Sequence, residues 1–364
     1  LTTSERDACL FLSLLQARAG ASLVSRLGDL SAAELLEASV EDLAARAGMT
    51  EKAVRAVSKL KASFEPECLR RRLEERGIAV LTLADEGYPG RLREIPDPPP
   101  ALFVDGEIPE APCVALVGAR KASVGGLDAA RRLGRALGER GACVVSGLAL
   151  GIDAAAHEGA LAGGGLTVGV LGCGIDVVYP RGNRALFGRV RDRGALVSEY
   201  YLGETPLAWR FPARNRVIAG LCETVVVVEA AEKSGALITA RHALEAGRDV
   251  WAVPGPLGME QCRGSNRLLA DGAAVLWDIE EFVEAVVPMS AGPVPSGGEP
   301  PVPPELPEAE AAALAAVGFE PTEADEVAVR TGLRMSELLP ALTMLEIKGY
   351  LSREASGAFV RRAT

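Results

Sequence analysis

Histidine is scarce in this 364-residue chain, which has only His157 and His242, and aromatic residues make up 4% of it. Two isolated imidazoles cannot build a His-based metal centre. Seven cysteines (Cys9, Cys68, Cys113, Cys143, Cys173, Cys222 and Cys262) stand singly without CxxC spacing, so neither a zinc site nor a disulfide framework is expected. Dispersed thiols in apolar surroundings read as reduced and structural. No apolar run approaches the roughly 18 residues of a membrane span, and the first residues, LTTSERDACLF, lack the basic-then-apolar layout of a secretory signal. The expectation is a soluble, cytoplasmic protein with no membrane partner. Nucleotide signatures are missing too: the first glycine-rich loop, VGARKASVGG, does not fit GxGxxG, and there is no GxxxxGK[ST]. No cofactor is expected.

Net positive charge is also lacking, at −10 overall, which taken alone argues against a polyanionic partner. Its distribution reverses that reading. Between Val114 and Trp277 there are 19 Lys+Arg against 15 Asp+Glu, or +4, so the remainder carries −14. The acidity belongs to the flanks.

Two proline-rich stretches, IPDPPPALF at 95–103 and PMSAGPVPSGGEPPVPPELPE at 288–308, divide the chain. They predict a helical domain over 1–85, a central domain over 86–285, a flexible linker over 286–308 that is too poor in large apolar residues to pack, and a terminal domain over 309–364. The first segment repeats apolar patches at helical spacing, with Ser31, Ser39 and Thr50 as N-caps and Gly20, Gly28 and Gly48 as stops. It reads as a small bundle, either a helix-hairpin-helix module or a protein-contact bundle. The central segment alternates apolar runs (114–118, 142–146, 167–171, 195–199, 224–230, 249–253, 273–277) with amphipathic stretches. That beat predicts α/β class, an extended Rossmann-like parallel sheet covered on both faces. The last segment reads as three helices and a hairpin, the order of a winged helix. Its third helix carries Glu337 and Glu346, and residues 309–364 hold six basic to eight acidic residues, which leaves DNA and protein contact both open.

In an open parallel sheet ligands bind beyond the carboxyl ends of the strands. The loops there read GARKASVGG, SGLALGID, GCGIDVVYPRGN, the FPARN stretch, AEKSGA and PGPLGMEQCRGSN. Glycine lets backbone N–H groups approach an anion, and the following helix adds partial positive charge. Six such loops carrying Arg120, Lys121, Arg181, Arg184, Arg214, Arg216, Lys233, Arg263 and Arg267 form a surface suited to a long polyanion. Tyr179, Tyr200, Tyr201, Trp209 and Phe211 lie near them as stacking platforms or as packing residues. A hydrolase built on Ser146, Asp153 and His157 is the weaker reading, because Ser146 lacks a GxSxG context and Asp153 suits a helix start.

These loops resemble the DNA-processing protein A (DprA, or Smf) family. The motifs are VGAR (117–120), SGLALGID (146–153), GCGIDVVYP (172–180), FPARNRVIAGL (211–221), EKSGALITA (232–240), PGP (254–256) and GSNRLLADGA (264–273). The resemblance implies a non-catalytic protein that binds single-stranded DNA in natural transformation and recombination. It implies protection of incoming strands, displacement of single-strand-binding protein, loading of RecA recombinase, and dimerisation through the Rossmann-like domain. It places phosphate contacts at Arg120, Arg181, Arg214, Asn215, Lys233 and Ser234; the loops around them add Gly118, Lys121, Ser146, Gly147, Gly172, Gly174, Asn183 and Gly235 as expected DNA contacts, and Arg216, which points a different way round the helix, is left to a structural role. The flanks fit a SAM-like or helix-hairpin-helix domain and a winged helix. The alternative is a phosphoribohydrolase on a related fold; its PGGxGT segment is absent and only Glu229 of its acidic chemistry remains.

Overall fold

A computed structural model describes residues 3–19, 31–287, 306–318, 322–353 and 357–361. Gly20, Gly28 and the apolar patch between them lie outside the described residues, as does most of the proline-rich linker. Two compact units are present, Leu1–Val294 and Pro295–Thr364.

The first unit is built on a nine-stranded sheet of β1 (Ile78–Thr82), β2 (Ala101–Gly106), β3 (Cys113–Val117), β4 (Cys143–Ser146), β5 (Leu166–Leu171), β6 (Gly194–Ser198), β7 (Thr224–Val227), β8 (Asp249–Ala252) and β9 (Ala274–Val275). Its order is β1-β2-β6-β5-β4-β3-β7-β8-β9. The seven strands expected from the apolar runs are all present and run parallel to one another. Alternation explains why those runs are continuous. Cys113, Ala115 and Val117 join one core layer with the helices Arg210–Leu221 and Gly235–Glu245, while Val114 and Leu116 join another with Val124–Glu139 and Ile152–Ala162. Each fully buried large side chain contributes about 1.5–3 kcal/mol.

β1 and β2 escape that pattern: they extend the sheet beyond β6 as an antiparallel pair, with β1 at the edge. β1 arises inside the stretch read as helical, and β2 begins at the end of IPDPPPALF. Proline cannot donate to a ladder, so the chain takes up pairing only after Pro100.

Of the N-terminal helices Thr3–Ala19, Ala32–Glu37, Val40–Ala47, Glu51–Ala62 and Pro66–Glu74, the first and last pack against β1 and the first also against β2, and Ala32–Glu37 and Glu51–Ala62 pack on the first. Ser31, Ser39 and Thr50 cap as expected, and Gly48 stops its helix in the left-handed conformation. Leu10, Phe11, Leu14 and Leu43 share one apolar cluster with Phe103, Leu171 and Phe187 of the sheet layer. Polar ties join them as well: Ser13 Oγ donates to the Glu199 carbonyl (3.1 Å), and Tyr201 Oη to that of Leu69 (3.1 Å).

The second unit has helices Glu308–Ala316, Ala324–Thr331 and Met335–Ile347, followed by the hairpin Leu351–Arg353 and Phe359–Arg361, in winged-helix order. Leu338, Leu342 and Leu345 face its core, and Leu339 and Ile347 are exposed.

Candidate functional site

The strand order reverses at β3. From β3 the chain runs through β4, β5 and β6 on one side, then returns to β7, β8 and β9 on the other. A crevice opens beyond such a switch point, and here it is a cavity of about 280 Å³ lined by Gly118 and Arg120 after β3, Ala149 and Asp153 after β4, Phe211, Pro212, Arg214 and Asn215, and Ser234 to Ala236 after β7. Four of the quoted loops thus converge at one place. The helix Gly235–Glu245 points its N-terminus there, capped by Ser234, which accepts from Ala236 N–H (3.3 Å).

The FPARN stretch supplies the cavity's inner wall. Its helix starts at Arg210, two residues before Pro212. Arg214 is 4% exposed. Its Nη1 donates to the carbonyls of Gly147 (3.0 Å) and Val170, and its Nε to Asn215 Oδ1 (3.3 Å). Burial pulls its pKa down, opposed by nearby Asp153 and reinforced by Arg120. Asn215, also buried, donates through Nδ2 to the Gly235 carbonyl (3.0 Å), fastening this helix to the loop after β7. Arg216 points elsewhere and is structural, as expected: Nη1 and Nη2 clasp both oxygens of buried Glu199 (2.9 and 2.8 Å), and Nε reaches Asp97. Neither arginine stands on the exposed rim.

Gly147 is fixed by this wall. A Cβ there would collide with the Arg214 guanidinium and the Asp153 carboxylate, whose Oδ2 accepts from the N–H groups of Gly147 (3.2 Å) and Ala149 (3.4 Å). Burial raises the Asp153 pKa, against Arg214 and the two backbone donors. The next residue, Leu148, has φ +53, the left-handed region that a branched side chain rarely adopts. Asn183 Nδ2 donates to the carbonyls of Leu148 (3.0 Å) and Ala149 (3.3 Å), so the loop after β5 holds the loop after β4 in this shape.

Several expected contacts are interior. Ser146 is fully buried and its hydroxyl donates to the Leu116 carbonyl (2.6 Å); contrary to expectation, it is a strand-to-strand tie with no face on the rim. Gly172 lies under the Phe211 ring and Gly174 against the backbone of residues 201–204, so both shape the rim from below. The Ser146–Asp153–His157 hydrolase reading has no geometry behind it. Thr167 Oγ1 donates to the Val144 carbonyl (2.7 Å) and so accepts from His157 Nδ1 (2.6 Å). Burial, followed by the Arg214 charge, lowers the His157 pKa to about 3. Glu229 is equally committed: it is buried and accepts from Ser123 N–H (3.0 Å) and Ser123 Oγ at the start of the helix Val124–Glu139.

What remains on the surface is a band of cations. Arg120, Lys121, Arg181, Arg184 and Lys233 are exposed. Among the described residues none of the five has a carboxylate within 4.0 Å, whereas Arg131, Arg135, Arg263 and Arg267 are all paired with acids. Arg263 and Arg267 therefore fall out of the free set. Arg120 lies over the Phe211 ring (5.3 Å), and Tyr179 packs beside it (5.5 Å between centroids, 41°). Tyr179 is exposed and Phe211 half-buried, while Tyr200 and Tyr201 are interior. Trp209 is exposed, and Arg210 lies over the rings of Tyr200 and Trp209. The buried role of Arg210, which also bonds Glu204 (2.8 Å) and the Ala17 carbonyl (2.9 Å), had no signal in the sequence beyond its place next to FPARN. No helix among the described residues is long and apolar enough to cross a membrane.

Fold and rim together define a class: extended Rossmann-like α/β proteins whose crevice is lined by cations instead of a nucleotide-binding loop. Residues 79–287 match the family described as DNA recombination-mediator protein A, and residues 298–357 match the DprA winged helix domain. The chain belongs to the DprA (Smf) family. It is 36% identical over 324 residues to Protein Smf of Synechocystis, covering 79% of this chain and 81% of that protein. To the DNA processing protein DprA of Streptococcus pneumoniae it is 44% identical over 197 residues, 54% of this chain and 70% of that one. The X-ray structure of the S. pneumoniae protein superposes with a TM-score of 0.64 at 34% identity, covering 78% of this chain and 97% of that one. DNA processing protein A from Helicobacter pylori, whose structure is described for its unique single-stranded DNA binding mode, gives 0.53 at 30% identity over 57% of this chain and 94% of its own.

Proposed function

We propose that this chain binds single-stranded DNA without sequence preference along the rim beyond β3, β4, β5 and β7, as a non-catalytic mediator of recombination. On this reading it protects incoming strands, displaces single-strand-binding protein, loads RecA recombinase, and works as a homodimer through the sheet domain of residues 86–285, with residues 309–364 as its winged helix. The observation that carries the reading is the group of five exposed, unpaired cations on the loops beyond β3, β5 and β7, with Arg120 and Phe211 lining the cavity there and Tyr179 packed against the Phe211 ring. Phosphates track such a band while bases stack on the rings, at about 1–3 kcal/mol per base. The single-stranded DNA binding of the H. pylori relative supports it. Arg120, Lys121, Arg181 and Lys233 are the direct phosphate contacts, joined by the half-buried Gly118 and Ser234 and the exposed Gly235. Arg214, Asn215, Asn183, Gly147, Gly172 and Gly174 form the rigid wall beneath.

The test is anisotropy of labelled oligo-dT between about 50 and 200 mM salt. Each phosphate neutralised contributes a log–log slope of about −0.7 on a single strand, so a slope of roughly −2 to −4 is expected. Arg120→Ala and Lys233→Ala should each flatten it by about one such step. A slope near zero, or equal or tighter binding of duplex, would refute the proposal.

A further inference from the structure

The opposite end of the sheet holds thiols that the DNA-binding reading does not use. Cys113 opens β3 and is the register partner of Cys143, which opens β4. Neighbouring strands run about 4.8 Å apart, within the roughly 4.4–6.8 Å between Cα atoms at which a disulfide closes. Both side chains lie in the same core layer. Cys113 Sγ donates to the Ala111 carbonyl (3.3 Å), and the neighbouring Cys143 thiol holds the Cys113 pKa below the ordinary thiol value against burial and Glu223, with Arg91 assisting. The same proximity and complete burial push the Cys143 pKa up.

Access differs between the two. Cys113 is on the wall of a cavity of about 410 Å³ that Arg91, Glu110, Pro112 and Glu223 also line, and Cys143 is not part of that lining. A thiol on a cavity wall beside a fully buried resolving thiol is the layout of a redox-responsive pair.

We propose that Cys113 and Cys143 form a reversible, peroxide-responsive disulfide across β3 and β4. The Cys113 thiolate attacks one oxygen of hydrogen peroxide; an S–O bond forms, the O–O bond breaks, and the departing hydroxide is protonated to water. Cys143 then attacks the resulting sulfenic sulfur. The S–S bond forms as the S–O bond breaks, and the hydroxyl leaves as a second water with the Cys143 proton. The pair loses two electrons to the peroxide, and a dithiol returns them. The parallel side chains must tilt together to bond, which favours easy reduction.

The experiment treats the full chain with hydrogen peroxide, blocks free thiols, and maps peptides by mass spectrometry without reduction. A Cys113–Cys143 cross-link that dithiothreitol reverses is expected, and Cys143→Ser should leave a Cys113 sulfenic acid that dimedone traps. Untouched Cys113 at peroxide doses that oxidise half-buried Cys68, or a cross-link from Cys113 to Cys222, would overturn the proposal. Native alkylation of the unaltered protein gives a second readout: Cys113 should label ahead of Cys143, and equal protection of both counts against the pair.

Discussion

Replacing Arg216 by methionine should cost the fold heavily and leave the rim intact. The guanidinium clasps Glu199 with two hydrogen bonds of 2.9 and 2.8 Å, and both side chains are 9% exposed. Burial alone disfavours the charged guanidinium, but Glu199 more than offsets this and the Arg216 pKa is raised. Methionine keeps the volume and strands the Glu199 carboxylate in the interior. Breaking one side of a buried pair costs about 3–5 kcal/mol, and a unit of this size moves by about 2–4 °C per kcal/mol, so the midpoint should drop by roughly 10 °C. Thermal and urea unfolding followed through Trp209, Trp251 and Trp277 would read it. Adding Glu199→Gln to Arg216→Met should recover much of the loss, since the buried charge is then gone. In the cold, where the variant is folded, its affinity for oligo-dT should match the parent's. Arg120→Ala should do the reverse, keeping the midpoint and losing affinity. A loss in Arg216→Met below about 1 kcal/mol, the worth of an exposed pair, would refute the claim that this arginine is structural.

Two further outcomes follow from the interior wall. His157 is held neutral with its pKa lowered to about 3, so the unfolded chain binds the extra proton between that value and about 6.5. Stability should be fully present above pH 6.5 and fall by about 1.4 kcal/mol per pH unit as pH drops toward 3; urea midpoints across pH 7 to 5 check it, and His157→Gln should flatten that segment. Asn183→Ala removes both bonds to the Leu148 and Ala149 carbonyls. It should weaken oligo-dT binding with an unchanged salt slope, because the loop loosens while no phosphate contact is lost; a flatter slope would mean that Asn183 itself meets the strand.

The central sheet was legible because strands buried on both faces leave uninterrupted apolar runs, and all seven appeared where Val114 to Val117 and its counterparts put them. β1 and β2 were not legible. IAVLT at 78–82 is short, follows a helical pattern, and pairs with a strand hidden behind four prolines. In the site, cation content was readable but side-chain direction was not. Arg214 and Arg216 look alike in FPARNRV, yet the 200° between residues two apart on a helix sends one toward the cavity wall and the other toward Glu199. Ser146 was misjudged for the same reason, since its partner Leu116 comes from another strand.

The N-terminal helices have a consequence for how the protein can be dissected. Phe103, Leu171 and Phe187 share one apolar cluster with Leu10, Phe11 and Leu14, and Arg210 reaches from beside the rim to the Ala17 carbonyl. A truncation at residue 86 would strip apolar surface bare, remove β1, and leave a buried guanidinium short of an acceptor next to the FPARN helix. The first 85 residues are thus part of the platform's own foundation, so a sheet domain expressed without them reports on a damaged rim, and any DNA-binding deficit it shows says nothing about whether those helices touch DNA.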